Sequence, residues 1–316
     1  MEGRGTLVNV VALGFRHLRL PIDPSHAVIG MQRGPDVALR MVDRLAGDIA
    51  AAQAQKLAVI LDMHPPDTFR ERLRTVPGEA ERFAKTWAVI ARSLAALDPE
   101  SLILEVLNEP GEALGLQWHE LQAKLVQAIR AEAPQHTILV TGANFSTVSD
   151  LRQLDPLQDN NLIYSFHSYT PMLFTHQGAE WAPPYARISG VPYPLRATDV
   201  RAFEAAAPTM DRPQIAEEAR DGAGWDSTAL DVLLAEAGEW SKQRKVPLVC
   251  TEFGVYRDGG VKPADRLRYL ADMRTSLSRH TQAWTVWDYS GGFGVVRRRR
   301  NGIHVDRAML RALGLA

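Results

Sequence analysis

The chain contains seven short apolar runs that are continuous rather than alternating. They are Phe15–Pro21, Leu57–Met63, Ser101–Leu107, Thr137–Thr141, Asn161–Phe166, Pro247–Thr251 and Ala283–Trp287. Most are Val/Ile/Leu-rich, and a run of that kind predicts a strand buried on both faces, as in a parallel sheet. Parallel neighbours need a crossover between them. The intervening segments supply it. Phe83, Trp87, Ile90, Ala91 and Leu94 recur at helical spacing, and Asp98-Pro99 ends that helix. Trp118, Leu121, Leu125 and Ile129 predict a second helix, ending at Pro134. Leu230, Leu233, Leu234, Ala237 and Trp240 predict a third, with Asp226 as its N-cap. A late helix starts near Asp306 and carries Met309, Leu310 and Leu313. Strand–helix alternation of this kind defines the α/β class. At 316 residues the chain has an ordinary length for a single (β/α)8 TIM-type barrel domain, 1–316, and no linker or repeat divides it.

Seven strands are one fewer than that barrel needs. Thr6–Leu13 has strand propensity, but Gly14 joins it directly to the next run and leaves no room for a crossover. It reads as the tail of a first helix whose strand is absent. A barrel lacking its first strand exposes two sheet edges, so either the sequence is a truncated piece or a homo-oligomer or a loop is expected to cover the gap. Between Phe166 and the helix near Asp226 lies a long segment, about 168–225. It is rich in Pro, Gly and aromatics, among them Tyr169, Trp181, Tyr185, Tyr193 and Trp225. A segment this long after a barrel strand is expected to serve the site.

Composition narrows the partners. Hydrophobic residues make up 46% of the chain, enough for a large core. Lys and Arg number 36 and Asp and Glu 37, a balance that argues against a nucleic-acid partner and suits a neutral substrate. The lone Cys250 forms no internal disulfide and reads as a core residue. No stretch reaches the roughly 18 apolar residues of a membrane span. The N-terminal residues lack the apolar region of a signal peptide.

Polar residues close the apolar runs. One run ends Asn108-Glu109-Pro110 and another Thr251-Glu252-Phe253-Gly254. Glutamates at the carboxyl ends of two parallel strands face one mouth of a barrel. Cleavage of a glycosidic bond needs such a pair, one to protonate the leaving oxygen and one to attack the anomeric carbon. Asn-Glu-Pro alone is a weak signal.

The ordered set is specific. Gly14-Phe15-Arg16-His17-Leu18-Arg19-Leu20-Pro21, Leu61-Asp62-Met63-His64, Asn108-Glu109-Pro110, Phe166-His167-Ser168-Tyr169, Thr251-Glu252-Phe253-Gly254 and Trp284-Thr285-Val286-Trp287 follow one another along the chain. From Leu13 onward the sequence resembles glycoside hydrolase family 5, the endoglucanases, mannanases and related β-glycanases. These motifs match the family's second, third, fourth, sixth, seventh and eighth strands. The resemblance implies a retaining, endo-acting hydrolase of β-1,4-glucan that needs no cofactor or metal. Its partner is a polysaccharide or oligosaccharide, and its setting secreted or periplasmic. It implies Glu109 as acid/base and Glu252 as nucleophile. Chemistry suggests the same roles for the supporting residues. Arg19 near Glu252 would favour its ionised form, and Tyr169 can donate to it. Asn108 can bind the sugar 2-OH, His64 and His167 can bind hydroxyls or orient the glutamates, and Trp287 can stack on a pyranose ring. Trp284 reads as core. Phe145 follows the fifth family strand, where a tryptophan is frequent.

Other readings make distinct demands. Mannan, xylan and β-1,3-glucan remain open as substrates. Gly259-Gly260 and Gly291-Gly292 could cradle a phosphate through backbone N–H groups. His64, His167 and Asp288 could serve a metal-dependent hydrolase, though no closely spaced His pair supports that. A sugar-binding barrel without catalysis is the reading of another class. Arg297–Arg300 reads as a solvated loop.

Overall fold

The computed structural model describes residues 4–25, 35–218, 224–300 and 302–315. Two compact units can be distinguished, residues 1–166 with 244–249 and residues 167–243 with 250–316.

In the first unit the helix Arg4–Ala12 leads into β1 (His17–Ile22). Leu7, Val10 and Leu13 are buried, and the helix is closed by Gly14 at φ 92°, a conformation that favours glycine. Thr6–Leu13 is therefore a helix end, and among the described residues no strand precedes β1. Next come β2 (Ala58–Met63), β3 (Leu102–Glu105), β4 (Thr137–Thr141) and β5 (Leu162–His167). These pair in parallel and in chain order. β6 (Leu248–Glu252) follows β5, and Tyr164 N–H donates to Pro247 C=O at 2.9 Å beside it. The helices Pro35–Ala54, Glu79–Leu94 and Trp118–Glu132 are crossovers. The apolar stripes foreseen on the last two are buried. Each stripe also carries an indole that reaches the sheet. Trp87 Nε1 donates to Val106 C=O at 3.0 Å and Trp118 Nε1 to Thr141 C=O at 2.9 Å.

One face of these strands is layered. Ile60, Ile103, Leu139, Ile163 and Val249 form an apolar cluster. Residues two positions on share the same face. They include Asp62, Glu105, Thr141 and Ser165, all buried. Asp62 is in register with Glu105, and Thr141 with Ser165. Toward the carboxyl ends the face thus changes from apolar to polar.

In the second unit the end of β6 pairs with β7 (Ala283–Trp284), the seventh strand of the sheet. Thr285 N–H donates to Cys250 C=O at 2.8 Å and Trp287 N–H to Phe253 C=O at 2.9 Å. The segment 168–225, apart from residues 219–223 outside the description, holds short helices at Met172–Thr175, Ala197–Ala206 and Arg212–Glu217. Phe174 and Tyr193 of this segment pack ring on ring with each other and with Tyr269 of the helix Pro263–His280, at 5.3–5.4 Å. Asp226 Oδ1 caps the helix Ser227–Arg244, accepting from Thr228 and Ala229 N–H at 2.9 Å. Asp306 caps Arg307–Ala312 in the same way through Met309 N–H.

The arginine run differs from expectation. It is not a loop but most of β8 (Val296–Arg299), paired antiparallel with β9 (Gly302–Val305). Buried Val296 opposite Val305 roots the hairpin, and pairing at the root outweighs the repulsion of its exposed charges.

Removing the Trp87 indole takes away both a fully buried ring and a tie to the strand end. Trp87→Ala is expected to cost about 3–5 kcal/mol of stability, read as a lower denaturant midpoint.

Candidate active site

In the first unit the polar layer is organised by one guanidinium. Arg19 Nε and Nη2 donate to the two oxygens of Glu105 at 2.7 and 2.8 Å. Nη2 also lies 3.0 Å from Asp62 Oδ2 and donates to Asn108 Oδ1 at 2.7 Å. The side chains of Arg19, Asp62 and Glu105 are at most 1% exposed, so these charges hold their place by pairing. The contacts of Arg19 with Glu105 and Asp62 were not foreseen from the sequence. The signal was present, since each carboxylate interrupts an apolar strand.

Arg19 sets the orientation of Asn108. A guanidinium only donates, so the amide oxygen faces it and Nδ2 points to His64 Nε2, 3.3 Å away. An amide NH2 also only donates, so Nε2 accepts. The ring proton of His64 then sits on Nδ1, 2.9 Å from Asp62 Oδ2. The Asn108 backbone is fixed as well: its N–H donates to Met63 C=O at 2.8 Å, and its C=O accepts from Ser146 Oγ at 3.1 Å.

Glu109 follows, with a partly exposed side chain. Arg70 Nη1 donates at 3.1 Å to the carbonyls of both Glu109 and Pro65, and Arg70 pairs with Asp67. Gly111 turns the chain away at φ 74°, and its N–H donates to Asn144 C=O at 2.7 Å. Phe145 is 49% exposed between Asn144 and Ser146, both at positive φ. Its ring is therefore presented to solvent as an apolar face.

In the second unit Glu252 ends β6 and is 5% exposed. Tyr169 Oη donates to Glu252 Oε2 at 2.9 Å, and His167 Nδ1 lies 3.8 Å from the same oxygen. The Glu252 carbonyl accepts from Ser168 N–H at 2.9 Å and from the Cys250 thiol at 3.3 Å.

Tyr169 is held by a wall that the motifs did not reveal. Its ring meets His176 edge-on at 4.9 Å and Phe293 at 5.8 Å. Thr175 Oγ1 donates to Tyr169 C=O at 2.5 Å and so accepts from His176 Nδ1 at 3.0 Å. Burial pushes the His176 pKa down to about 4, against the raising effect of Glu252, so the imidazole is neutral near pH 7. Beyond Phe293 stand Tyr256 at 5.7 Å and then Trp181, 4.8 Å from Tyr256 and 60% exposed. Trp287 and Trp284 are both half-buried, and Trp284 packs edge-on against Phe253 at 5.6 Å. Burial raises the Asp288 carboxyl, while Gly291 N–H, donating at 2.8 Å, opposes the rise.

Close packing accounts for the glycines. A Cβ on Gly254 would lie 2.5 Å from the Trp287 carbonyl oxygen, so only glycine lets the two strand ends approach. A Cβ on Gly259 would lie 1.7 Å from Gln177 O, and one on Gly291 2.1 Å from Asp288 Oδ2.

At its far end the 168–225 segment is tied to Glu218. Its carboxyl accepts from Tyr185 Oη at 2.7 Å and from the backbone N–H groups of Met172 and Leu173. Burial of this carboxyl pushes its pKa up to about 7.

Parallel strands in chain order with crossover helices, and acidic and aromatic groups at their carboxyl ends, define a (β/α)8-type fold, with seven strands in its sheet among the described residues. The chain belongs to the cellulase family, glycosyl hydrolase family 5, whose model matches residues 5–292. It is 28% identical over 313 residues to Endoglucanase 3 of Fibrobacter succinogenes, covering 94% of this chain and 47% of that protein. This chain therefore spans about half the length of that relative. It is 26% identical over 293 residues to Endoglucanase C of Acetivibrio thermocellus, covering 89% of this chain and 81% of that one. The crystal structure of endoglucanase Cel5A from Thermotoga maritima is similar at a TM-score of 0.77 and 26% identity, over 98% of this chain and 89% of that one.

Arg19→Ala would remove the guanidinium that pairs with the buried carboxylates of Glu105 and Asp62. It is expected to destabilise the protein by about 3–5 kcal/mol, measured by denaturant unfolding. Glu218 has the opposite pH signature to a salt-bridged acid. Its folded pKa is raised from 4.5 to about 7, so its stabilising contribution is full below about pH 4.5 and is lost as pH rises through 7. The melting temperature of the wild type relative to Glu218→Gln should fall across that window, by the equivalent of about 1–3 kcal/mol. Parallel curves would refute the assignment.

Proposed function

We propose that the chain is an endo-acting β-1,4-glucanase that cleaves with retention, using Glu252 as nucleophile and Glu109 as acid/base. The carrying observation is the setting of Glu252: a carboxylate at a strand end, one oxygen held by Tyr169 and the backbone fixed on both sides. A hydroxyl donor favours the ionised form needed for attack. In the first step Glu252 forms a bond to the anomeric carbon as the glycosidic C–O bond breaks, and Glu109 gives its proton to the departing oxygen. In the second, Glu109 takes a proton from water, whose oxygen displaces Glu252. In this reading Asn108, whose amide is oriented by Arg19, donates its remaining N–H to the sugar 2-OH.

The substrate assignment rests on relatives named endoglucanases and on exposed aromatic faces at Trp181 and Phe145, which suit pyranose rings. Mannan, xylan and β-1,3-glucan are the same chemistry on other polymers, and a polysaccharide panel separates them.

Glu252→Ala is expected to abolish turnover of every substrate. Glu109→Ala should cost about 10²–10⁴-fold on unactivated glucan and far less on aryl cellobiosides with good leaving groups, which need little proton assistance. Equal losses on both substrate types would sink the role assignment. NMR of the first product should show the β-anomer, and an α-anomer would refute retention.

A further inference from the structure

The arginine hairpin has no part in the chemistry above, yet it is rooted in the same wall. Val295 and Val296 N–H donate to Asp288 and Tyr289 carbonyls at 3.2 and 2.9 Å. Arg257, next to Tyr256, donates to Gly294 C=O at 2.6 Å and Val296 C=O at 3.1 Å. The hairpin therefore leaves the site wall between Trp287 and the Tyr256 loop.

Its two faces differ. Arg297 Nη1 lies 3.4 Å from Asp258, which fixes the direction of Arg297 toward the loop that also carries Tyr256. Side chains alternate along a strand, so Arg299 shares that face. His304, directly opposite Arg297, shares it too. Arg298 points the other way, with Ile303 opposite it. Arg297 to Arg300 are all exposed, and among the described residues no ion pair engages Arg299 or Arg300. Tyr256 in turn touches the exposed Trp181. One loop is thus flanked by an exposed aromatic face and by an exposed cationic one.

Guarding a strand edge explains one charge, not four of one sign in succession, which repel one another. A nucleic-acid role needs a basic footprint over a domain, and the chain's net charge is −1. We infer that the Arg297/Arg299 face binds carboxylate groups on a glycan whose sugar rings lie on the Trp181–Tyr256 side, so that the protein favours anionic, carboxylate-bearing β-glucan over neutral glucan. This rests on the proposed glucanase function.

The test compares carboxymethyl cellulose with neutral hydroxyethyl cellulose, for wild type and for the double variant Arg297→Ala/Arg299→Ala. Two exposed charge contacts correspond to about a 3- to 10-fold effect. The ratio of kcat/KM on the anionic to the neutral polymer should fall by that factor in the variant at about 20 mM salt. The difference should vanish near 0.5 M salt, where screening is short-ranged. An unchanged ratio, or one insensitive to salt, overturns the inference. Affinity electrophoresis in gels containing either polymer, or polyglutamate, supplies a readout free of catalysis. Stronger arginine-dependent retention by carboxymethyl cellulose than by polyglutamate supports the inference, and equal retention overturns it. Failure to hydrolyse or bind hydroxyethyl cellulose marks failure of the glucanase reading instead, because that polymer has no charge for the hairpin to meet.

Discussion

The first unit is organised around Arg19. Its guanidinium draws together Glu105 and Asp62 from neighbouring strands and Asn108 from beyond the end of one of them. The arrangement needs a planar fork with several fixed donors. A lysine would supply a point charge and could not hold Glu105 in a bidentate pair while also orienting an amide. From that orientation the rest follows without further adjustment. Asn108 must donate to His64, His64 must carry its proton toward Asp62, and Asp62 is already held by Arg19. Each polar group has its donor or acceptor role set by the next.

The two glutamates have different supports, and the difference suits the proposed roles. Glu109 is fixed through its backbone: Arg70 grips its carbonyl and Gly111 turns the chain away behind it. Its carboxyl end is partly exposed, as befits a group that exchanges protons with a leaving oxygen and with water. Glu252 is buried, with the Tyr169 hydroxyl donating to one carboxylate oxygen and its backbone carbonyl accepting two hydrogen bonds. A nucleophile must hold one direction of attack, and buried, hydrogen-bonded carboxylates lose the freedom to turn away.

What was legible in the sequence depended on local pattern. Buried strands announce themselves as apolar runs, and helices as stripes, so the sheet order and the capped helices at Asp226 and Asp306 could be read directly. Candidate site residues at strand ends could be picked out because the run stops where they begin. Groups placed by tertiary folding could not. Arg70, His176 and Phe293 lie on separate elements, and nothing in their neighbourhoods along the chain marks them. Asp62 and Glu105 were readable in principle as lone charges inside strands. For Arg19 the motif conveyed that a charge is needed, but not that Glu105 and Asp62 are among its partners. The arginine hairpin was misread because consecutive charges conceal β-pairing that depends on Val296 and Val305.

The layering of the sheet explains how such a site is tolerated. The apolar cluster of Ile60, Ile103, Leu139, Ile163 and Val249 supplies burial, and the charged layer stands two residues further along the same strands. A buried ion cluster contributes little net stability after desolvation, so its retention has to be explained by something other than stability. Here it converts the end of a rigid sheet into a fixed set of donors and acceptors at Asn108 and His64. The second unit does the same by another route, with aromatic packing around Tyr169 in place of charge. A ring held on two edges presents its hydroxyl to Glu252 as firmly as a guanidinium presents its fork to Glu105. Preorganised groups of this kind need no rearrangement when charge develops in a transition state, which is the largest single advantage a protein site has over water.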